Sequence, residues 1–393
     1  MMSMPGEPQI WLKKGREKKI KNHYPWVQKE EVIRSDELQP GEIAQLVDFE
    51  GNFLAIGFAN PISRFPFRVL THVDEPIDEA FFMRRIQESV DRRTNLEASS
   101  GRRIIFAEAD RLPGLIVDQY DQVLVVQIRA YGMERTKHLW LPALEKILKP
   151  SAIYERSEME GRKEEGLPSH AGIMSGELPE VVTITEDGLT FEIPIEHGLK
   201  TGFYLDQRET RRQLARLVKP GERVLDAFCY VGAFSLSAAK AGAETLGLDL
   251  HDVALEAAAR NAKANHLNCD WEKANVFEWL AEPPKSEADK FDWMILDPPA
   301  IAKSKSKRDS LKWGIWKLVY HAVDHLKPGG CMVVCSCSYQ LDLGEMLDTV
   351  RLALGDRGKI GYVESITLQS PDHPYLLQFP ESLYLKCAWV RVP

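Results

Sequence analysis

The sequence predicts an α/β protein: a C-terminal region with a mostly parallel sheet, a central α/β region and an N-terminal β-barrel. Three observations carry that prediction. From about residue 220 the pattern alternates strand and helix, which specifies a parallel sheet covered on both faces. Before residue 72, short Val-, Ile- and Phe-rich segments are punctuated by Pro40-Gly41, Glu50-Gly51-Asn52 and Asn60-Pro61, the turns of a small all-β unit. Between these regions, helical and hairpin signals are mixed. At 393 residues the chain is too long for one ordinary core. We divide it at 1–75, 76–190 and 191–393.

The barrel is read from "PGEIAQLVDFEGNFLAIGFANPISRFPFRVL", and a basic stretch, "KKGREKKIKNHYPWV", precedes it. Residues 1–35 hold eight Lys/Arg against four Asp/Glu. Positive charge with interleaved aromatics suits RNA, with Lys13 and Lys14 on phosphates and Tyr24 and Trp26 stacking on bases. The competing reading makes Tyr24 and Trp26 barrel core residues. Residues 76–98 carry Phe81, Phe82, Ile86 and Val90 at helical spacing. A strand pair follows in "GLIVDQYDQVLVVQI", turning at Tyr120-Asp121, then a helix around "HLWLPALEKILK". The acidic, Gly-rich stretch 157–180 reads as an exposed loop, and 181–195 as a hairpin through Glu186-Asp187-Gly188. In the C-terminal region "RVLDAF", "TLGLDL", "FDWMILDPP" and "CMVVCSCS" are strands. "FSLSAAKAG" and "VALEAAARNAKANH" are helices, and "HAVDHLKPGG" closes another.

Hydrophobic content of 44% and charged content of 27% are those of a globular protein. No apolar run approaches the roughly 18 residues of a membrane helix, and the N-terminus lacks a signal peptide's apolar core. A cytoplasmic location is expected. The six cysteines show no paired framework. "CMVVCSC" has no His nearby and no second Cys pair, so no metal is expected. Net charge is −8, so binding to a polyanion must rest on local clusters. Residues 303–312, with five Lys/Arg against one Asp, form a second such cluster. Lys303, Lys305 and Lys307 are its candidate phosphate contacts.

In a doubly wound sheet, ligands sit at the carboxyl ends of strands, and the candidate residues lie there. "LDAFCYVGAFS" places Asp226 at one strand end, suited to an ammonium group, and then Phe228 and Gly232 in a turn before a helix. A glycine there lets backbone approach a ligand. The fingerprint G-x-G-x-x-G is absent, which counts against a dinucleotide. Asp249, 23 residues after Asp226, is spaced to accept from ribose hydroxyls; the alternative is a helix-capping Asp. Asn275 is a candidate for an adenine edge. A nucleoside with a cationic substituent and no phosphates is S-adenosylmethionine, the donor of class I methyltransferases. Asp297-Pro298-Pro299 then falls where donor and reacting base meet, and Ala300 stands where amino-group methyltransferases often place an aromatic. In "VVCSCS", Cys335 and Cys337 supply thiols able to add to C6 of cytosine and make C5 nucleophilic. Cys331 is expected to be structural.

These residues resemble a known family over nearly the whole chain: the bacterial and archaeal large-subunit ribosomal RNA (cytosine-5) methyltransferases with an N-terminal PUA domain. "HYPWV", "GFANPISRF", "RLPGLIVDQYDQVLVVQ", "EHGLKTGFYLDQRETRR", "DAFCYVGAFS", "DPPAIAKSK" and "CSCS" carry the resemblance. It implies a PUA barrel, a central α/β domain and a Rossmann-like methyltransferase domain. It implies S-adenosylmethionine as donor and cytosine in 23S ribosomal RNA, or its large-subunit precursor, as target. It implies that Lys200, Thr201, Phe203, Asp206, Gln207 and Arg208 border the donor pocket. In the broader group a Thr-Cys-Ser follows a Pro-Gly-Gly turn. That register puts the nucleophile on Cys337, with Ser336 in place of Thr, and leaves Cys335, Asp297 or water for product release. The competing readings are methylation of an exocyclic amine or guanine N7 without a thiol, and an RNA-binding protein with a vestigial donor domain. Oligomeric state stays open, a homodimer included.

Overall fold

Segments apolar on both faces are stable as strands only in a sheet covered on both sides. The C-terminal half is built this way. The computed structural model describes residues 7–94, 99–299 and 307–393. The chain divides into two compact units. The first is Met1–Val182 with Ile195–Gly202 and Pro371–Ser382; the second is Thr183–Pro194, Phe203–Ser370 and Leu383–Pro393.

In the first unit, β1 (Gln9–Leu12), α1 (Glu17–Lys21), β2 (Trp26–Val27), β3 (Val32–Ser35), β4 (Glu42–Val47), β5 (Phe53–Ala59) and β6 (Phe67–Thr71) come first. Their strands form one sheet in the order β2-β6-β5-β4-β1-β3. After α2 (Glu79–Asp91) come β7 (Gly101–Phe106), β8 (Leu115–Tyr120), β9 (Val123–Ile128), α3 (Tyr131–Arg135), α4 (Lys137–Leu148), β10 (Ala152–Ser157), α5 (Gly161–Glu164) and β11 (His170–Gly176). These strands pair as β11-β10-β9-β8-β7. Phe58 and Leu70 of the first sheet share one buried cluster with Phe81, Phe82, Ile104 and Val126.

The exposed loop expected over 157–180 contains α5 and β11 instead. β11 pairs antiparallel with β10 at the sheet edge. Its side chains are mostly exposed, so backbone pairing rather than apolar alternation defines it, and the sequence carried no strand signal.

The second unit opens with the hairpin β12 (Val182–Glu186) and β13 (Leu189–Ile193). Then follow α6 (Arg208–Leu217), β14 (Arg223–Ala227), α7 (Ala233–Lys240), β15 (Glu244–Asp249), α8 (Asp252–Ala264), β16 (Asp270–Lys273), α9 (Val276–Trp279) and β17 (Phe291–Leu296). The chain ends with α10 (Lys307–Ala322), β18 (Leu326–Ser336), α11 (Leu343–Asp356), β19 (Tyr362–Leu368) and β20 (Lys386–Val392). The sheet order is β16-β15-β14-β17-β18-β20-β19. β16 through β18 are parallel, and β20 runs antiparallel to β18 and β19.

Strand residues alternate between two cores, as a pleat requires. Met294, Leu296, Met332 and Val334 face Ile315, Leu318 and Val350 from α10 and α11. Trp293, Ile295, Cys331, Val333 and Cys335 face Leu214 and Phe234 from α6 and α7. "KPGG", expected to close a helix, lies inside β18, where Gly329 has φ +76° and the pairing with β17 shifts register. Left-handed backbone at that bulge suits glycine.

Candidate active site

The sheet order reverses between β14 and β17, so their carboxyl ends border a crevice. Asp226, Asp249, Asp297 and Cys337 are all at the carboxyl ends of β14, β15, β17 and β18. Because β20 is antiparallel, its first residue, Lys386, lies at the same edge, directly opposite Ser336.

The turn after β14 is strained. Phe228 and Tyr230 adopt φ +70° and +49°, and Gly232 follows at +79°. Bulky residues rarely hold this conformation, and such strain gathers at binding sites. Asp249 fixes the turn by accepting from Tyr230 N at 2.9 Å, and its other oxygen accepts from His251 N at 3.0 Å. The helix cap is His251, so Asp249 is not the capping residue. A carboxylate has about four lone-pair positions. Two are used here, which leaves acceptor capacity for ribose hydroxyls.

Asp226 braces the fold. It is 1% exposed and accepts from Ser235 N and Oγ at 3.0 and 2.8 Å, tying α7 to its strand. Burial pushes its carboxyl up to about 7 against those two bonds, and Asp297 and Asp249 add to the rise. Gly232 is also explained by the fold: a Cβ there would meet Trp271 at 2.5 Å, so its smallness serves packing. Phe228 packs edge-on against Phe277, centroids 5.9 Å apart. Exposed Asn275 caps α9, accepting from Phe277 N and donating to Glu278, rather than presenting its amide to a ligand.

The signature "EHGLKTGFYLDQRETRR" separates into parts. Arg208 is fully buried, and with Arg211 it pairs with Glu186 of β12, which locks the hairpin to α6. Phe203 packs on Phe191 at 5.1 Å beneath the Arg211 guanidinium. Both side chains thus help fasten the hairpin to α6. Thr201 belongs to the first unit, where it donates to Asp118 and pairs with Tyr120. Asp206 accepts from Tyr384 Oη at 2.6 Å. Gln207 does reach the site. Its amide donates to Asp297 Oδ2 at 2.9 Å, and its carbonyl accepts from Cys387 Sγ at 3.4 Å.

The two thiols separate clearly. Cys335 is fully buried in the α6/α7 core, and burial pushes its thiol well up, with Cys387 and Asp297 adding to the effect. Burial of this kind disfavours the reactive thiolate. Cys335 lies within β18, which runs one residue past it, and its side chain packs in that core. Cys337 is the first thiol beyond the strand and is half-buried. It lines a narrow cleft with Pro298, Pro299, Cys335, Ser336, Ser338, and Leu311 and Ile315 of α10. Tyr204, which sequence reasoning missed, is held protonated by burial and by Asp297, Asp206, Tyr230 and Cys337. Its ring meets Tyr230 at 5.4 Å. It lies between Phe203 and Asp206 in the signature, but only the fold brings it to this edge.

In the first unit, Lys13 and Lys14 are exposed. Tyr24 donates to Glu381 at 2.8 Å and Trp26 to Glu108 at 2.8 Å, with Trp26 packed against Phe65 and Phe379. Both aromatics thus have partners within the unit. Lys303 and Lys305 lie outside the described residues, and of Lys307 only its place at the start of α10 is described.

Fold and site define an S-adenosylmethionine-dependent methyltransferase with a PUA-like domain. A PUA-like domain family matches residues 10–72, and an S-adenosylmethionine-dependent methyltransferase family matches residues 163–354. The chain is 37% identical to the ribosomal RNA large subunit methyltransferase I of Shewanella frigidimarina, over 98% of this chain and 99% of the relative. It is 36% identical to that of Vibrio cholerae, over 96% and 98%. A solved methyltransferase complexed with S-adenosylhomocysteine superposes with TM-score 0.85 at 20% identity, covering 98% of this chain and all of that one. A Streptococcus mutans protein assigned as an S-adenosylmethionine-dependent methyltransferase superposes with TM-score 0.83, also at 20% identity, over 98% of this chain and 100% of its own. The chain belongs to the ribosomal RNA large subunit methyltransferase I family.

Proposed function

We propose that this enzyme methylates C5 of a cytosine in 23S ribosomal RNA, with Cys337 as the covalent nucleophile. The observation that carries the proposal is Cys337 itself. It is a half-buried thiol one residue past β18, in a cleft with the prolines that follow Asp297. Relatives named for ribosomal RNA support the substrate class. S-adenosylmethionine supplies the electrophilic methyl group. Asp249, with spare acceptor positions, the strained turn at 228–232 and Phe228 would hold it.

The Cys337 thiolate adds to C6 of the base, which places electron density on C5. After C5 is alkylated it still carries a proton. A base removes that proton, and the electrons re-form the C5–C6 double bond and expel the thiolate. Asp297, oriented by Gln207, is our candidate for that base. We keep 1–75 as the RNA-reading region, with Lys13 and Lys14 on phosphates, 76–190 as the connecting α/β region and 191–393 as the catalytic region. Lys303, Lys305 and Lys307 remain proposed phosphate contacts on sequence grounds. Among the described residues no helix is long and apolar enough to cross a membrane. We propose a cytoplasmic location, where precursor ribosomal RNA is found.

Incubation with RNA carrying 5-fluorocytosine at the target tests the reading, because a fluorinated C5 has no proton to lose and the enzyme should stall as a covalent adduct. Methylation of ordinary RNA without any such adduct would move the target to an exocyclic amine or guanine N7.

A further inference from the structure

Lysine is almost never fully buried without a charged partner. Lys386 is 3% exposed, and no ion pair of it is found among the described residues. Its ammonium instead donates to two neutral carbonyls, Ser338 O at 2.6 Å and Leu341 O at 2.7 Å. Ser338 immediately follows Cys337, and Ser336, which immediately precedes it, is the cross-strand neighbour of Lys386. The lysine therefore straddles the nucleophile. Two of its three N–H donors are committed to the segment that carries Cys337.

The charges around it make this placement informative. Burial acts first on Lys386 and brings its ammonium below the usual lysine range, while Cys337, Asp342 and Cys387 act the other way and offset part of that fall. On the other side, Asp297, Asp206 and Cys337 all act on Tyr204 in the same sense, as negative or potentially negative groups. Cys335 lies beneath, held neutral by burial. A thiolate beside Asp297 is opposed by that carboxylate, and Lys386 is the buried cation that offsets it. A neighbouring ammonium favours the thiolate over the thiol.

We propose that Lys386 is the positioning residue for the nucleophile: it pins the 337–341 segment through two carbonyls, and its charge holds Cys337 as the thiolate. It neither gains nor loses a proton in the reaction. The thiol proton leaves to solvent before attack, and elimination returns the sulfur as thiolate. The proposal rests on Cys337 being the nucleophile, but its test needs neither RNA nor donor.

The test follows alkylation of Cys337 by iodoacetamide across pH 5–10 in the full chain, with mass mapping of the labelled peptide. Lys386→Arg keeps the charge, Lys386→Gln keeps amide donors without charge, and Lys386→Met keeps neither. We expect Lys386→Gln and Lys386→Met to move the alkylation midpoint up by a pH unit or more, and to slow labelling at pH 7 about tenfold. Lys386→Arg should stay near wild type. In methylation assays the charge-free variants should lose kcat with KM for RNA little changed. A wild-type midpoint in folded Lys386→Gln would overturn the proposal, as would equal midpoints in all three variants. A shifted midpoint together with no 5-fluorocytosine adduct in the wild type would instead overturn the proposed reaction and leave the lysine's effect on the thiol standing.

Discussion

The Gln207 amide donates a 2.9 Å hydrogen bond to Asp297, joining a residue just before α6 to the end of β17. Gln207 is 1% exposed, and its carbonyl accepts from Cys387 on β20, so its orientation is fixed from both sides. The carboxylate that faces the crevice is thus held before any ligand arrives. Hydrogen bonds to a charged group are worth about 1.5–3 kcal/mol. Gln207→Leu should therefore slow single-turnover methyl transfer by about tenfold or more while leaving RNA affinity unchanged. A wild-type rate would mean that Asp297 is oriented without Gln207.

Asp249 should be required for the donor. Asp249→Ala removes the acceptor positions and releases the Tyr230 amide. Calorimetry with S-adenosylhomocysteine should show affinity weakened by about 10- to 100-fold, the range that 1.5–3 kcal/mol gives. Asp249→Asn retains an acceptor and should lose less. Unchanged affinity with unchanged melting would take Asp249 out of the site.

Position relative to the strand end should separate the two cysteines. With 5-fluorocytosine RNA, we expect Cys337→Ala to form no covalent complex and Cys335→Ala still to form one. Cys335→Ala should instead cost stability, about 1 kcal/mol by urea denaturation, because it leaves a small void in a packed core. The opposite pattern of adducts would make Cys335 the nucleophile.

Asp226 should impose a pH dependence on stability. Its carboxyl titrates at about 7 in the fold, against 3.8 for the free side chain. Between those values the fold keeps the proton and the unfolded chain releases it, so this group's contribution falls as pH rises and is lost above about 7. Asp226→Asn keeps an acceptor for Ser235 and does not titrate. Urea unfolding from pH 4 to 8 should show the variant gaining on the wild type by a few kcal/mol, on the order of 1.4 kcal/mol for each pH unit between the two values. A constant difference across that range would mean Asp226 is ionised in the fold.

Much of the site was legible because the pleat and the strand–helix alternation are local. Strand ends at Asp226, Asp249 and Asp297 follow from apolar runs that stop at carboxylates, and the fold places them at β14, β15 and β17. Other residues could not be assigned locally. Arg208 and Gly232 sit inside motif-like segments, yet one pairs with Glu186, 22 positions earlier, and the other makes room for Trp271, 39 positions later. Asn275 carried a ligand-like identity and is used as a cap.

By itself, the sequence determined the alternating architecture, the basic and aromatic N-terminus, and the edge of the sheet that gathers the candidate residues. Periodicity and turn chemistry act over a few residues, and these features need nothing more. Tertiary structure decided how deeply each thiol is buried, since Cys335 lies inside β18 and Cys337 one residue past its end. It also decided that Asp226 braces α7 against its strand, and that Lys386 and Tyr204 come near Cys337 from distant parts of the chain. Burial, hydrogen-bond partners and local charge arise from contacts between residues far apart in sequence, and those contacts exist only once the sheet has assembled.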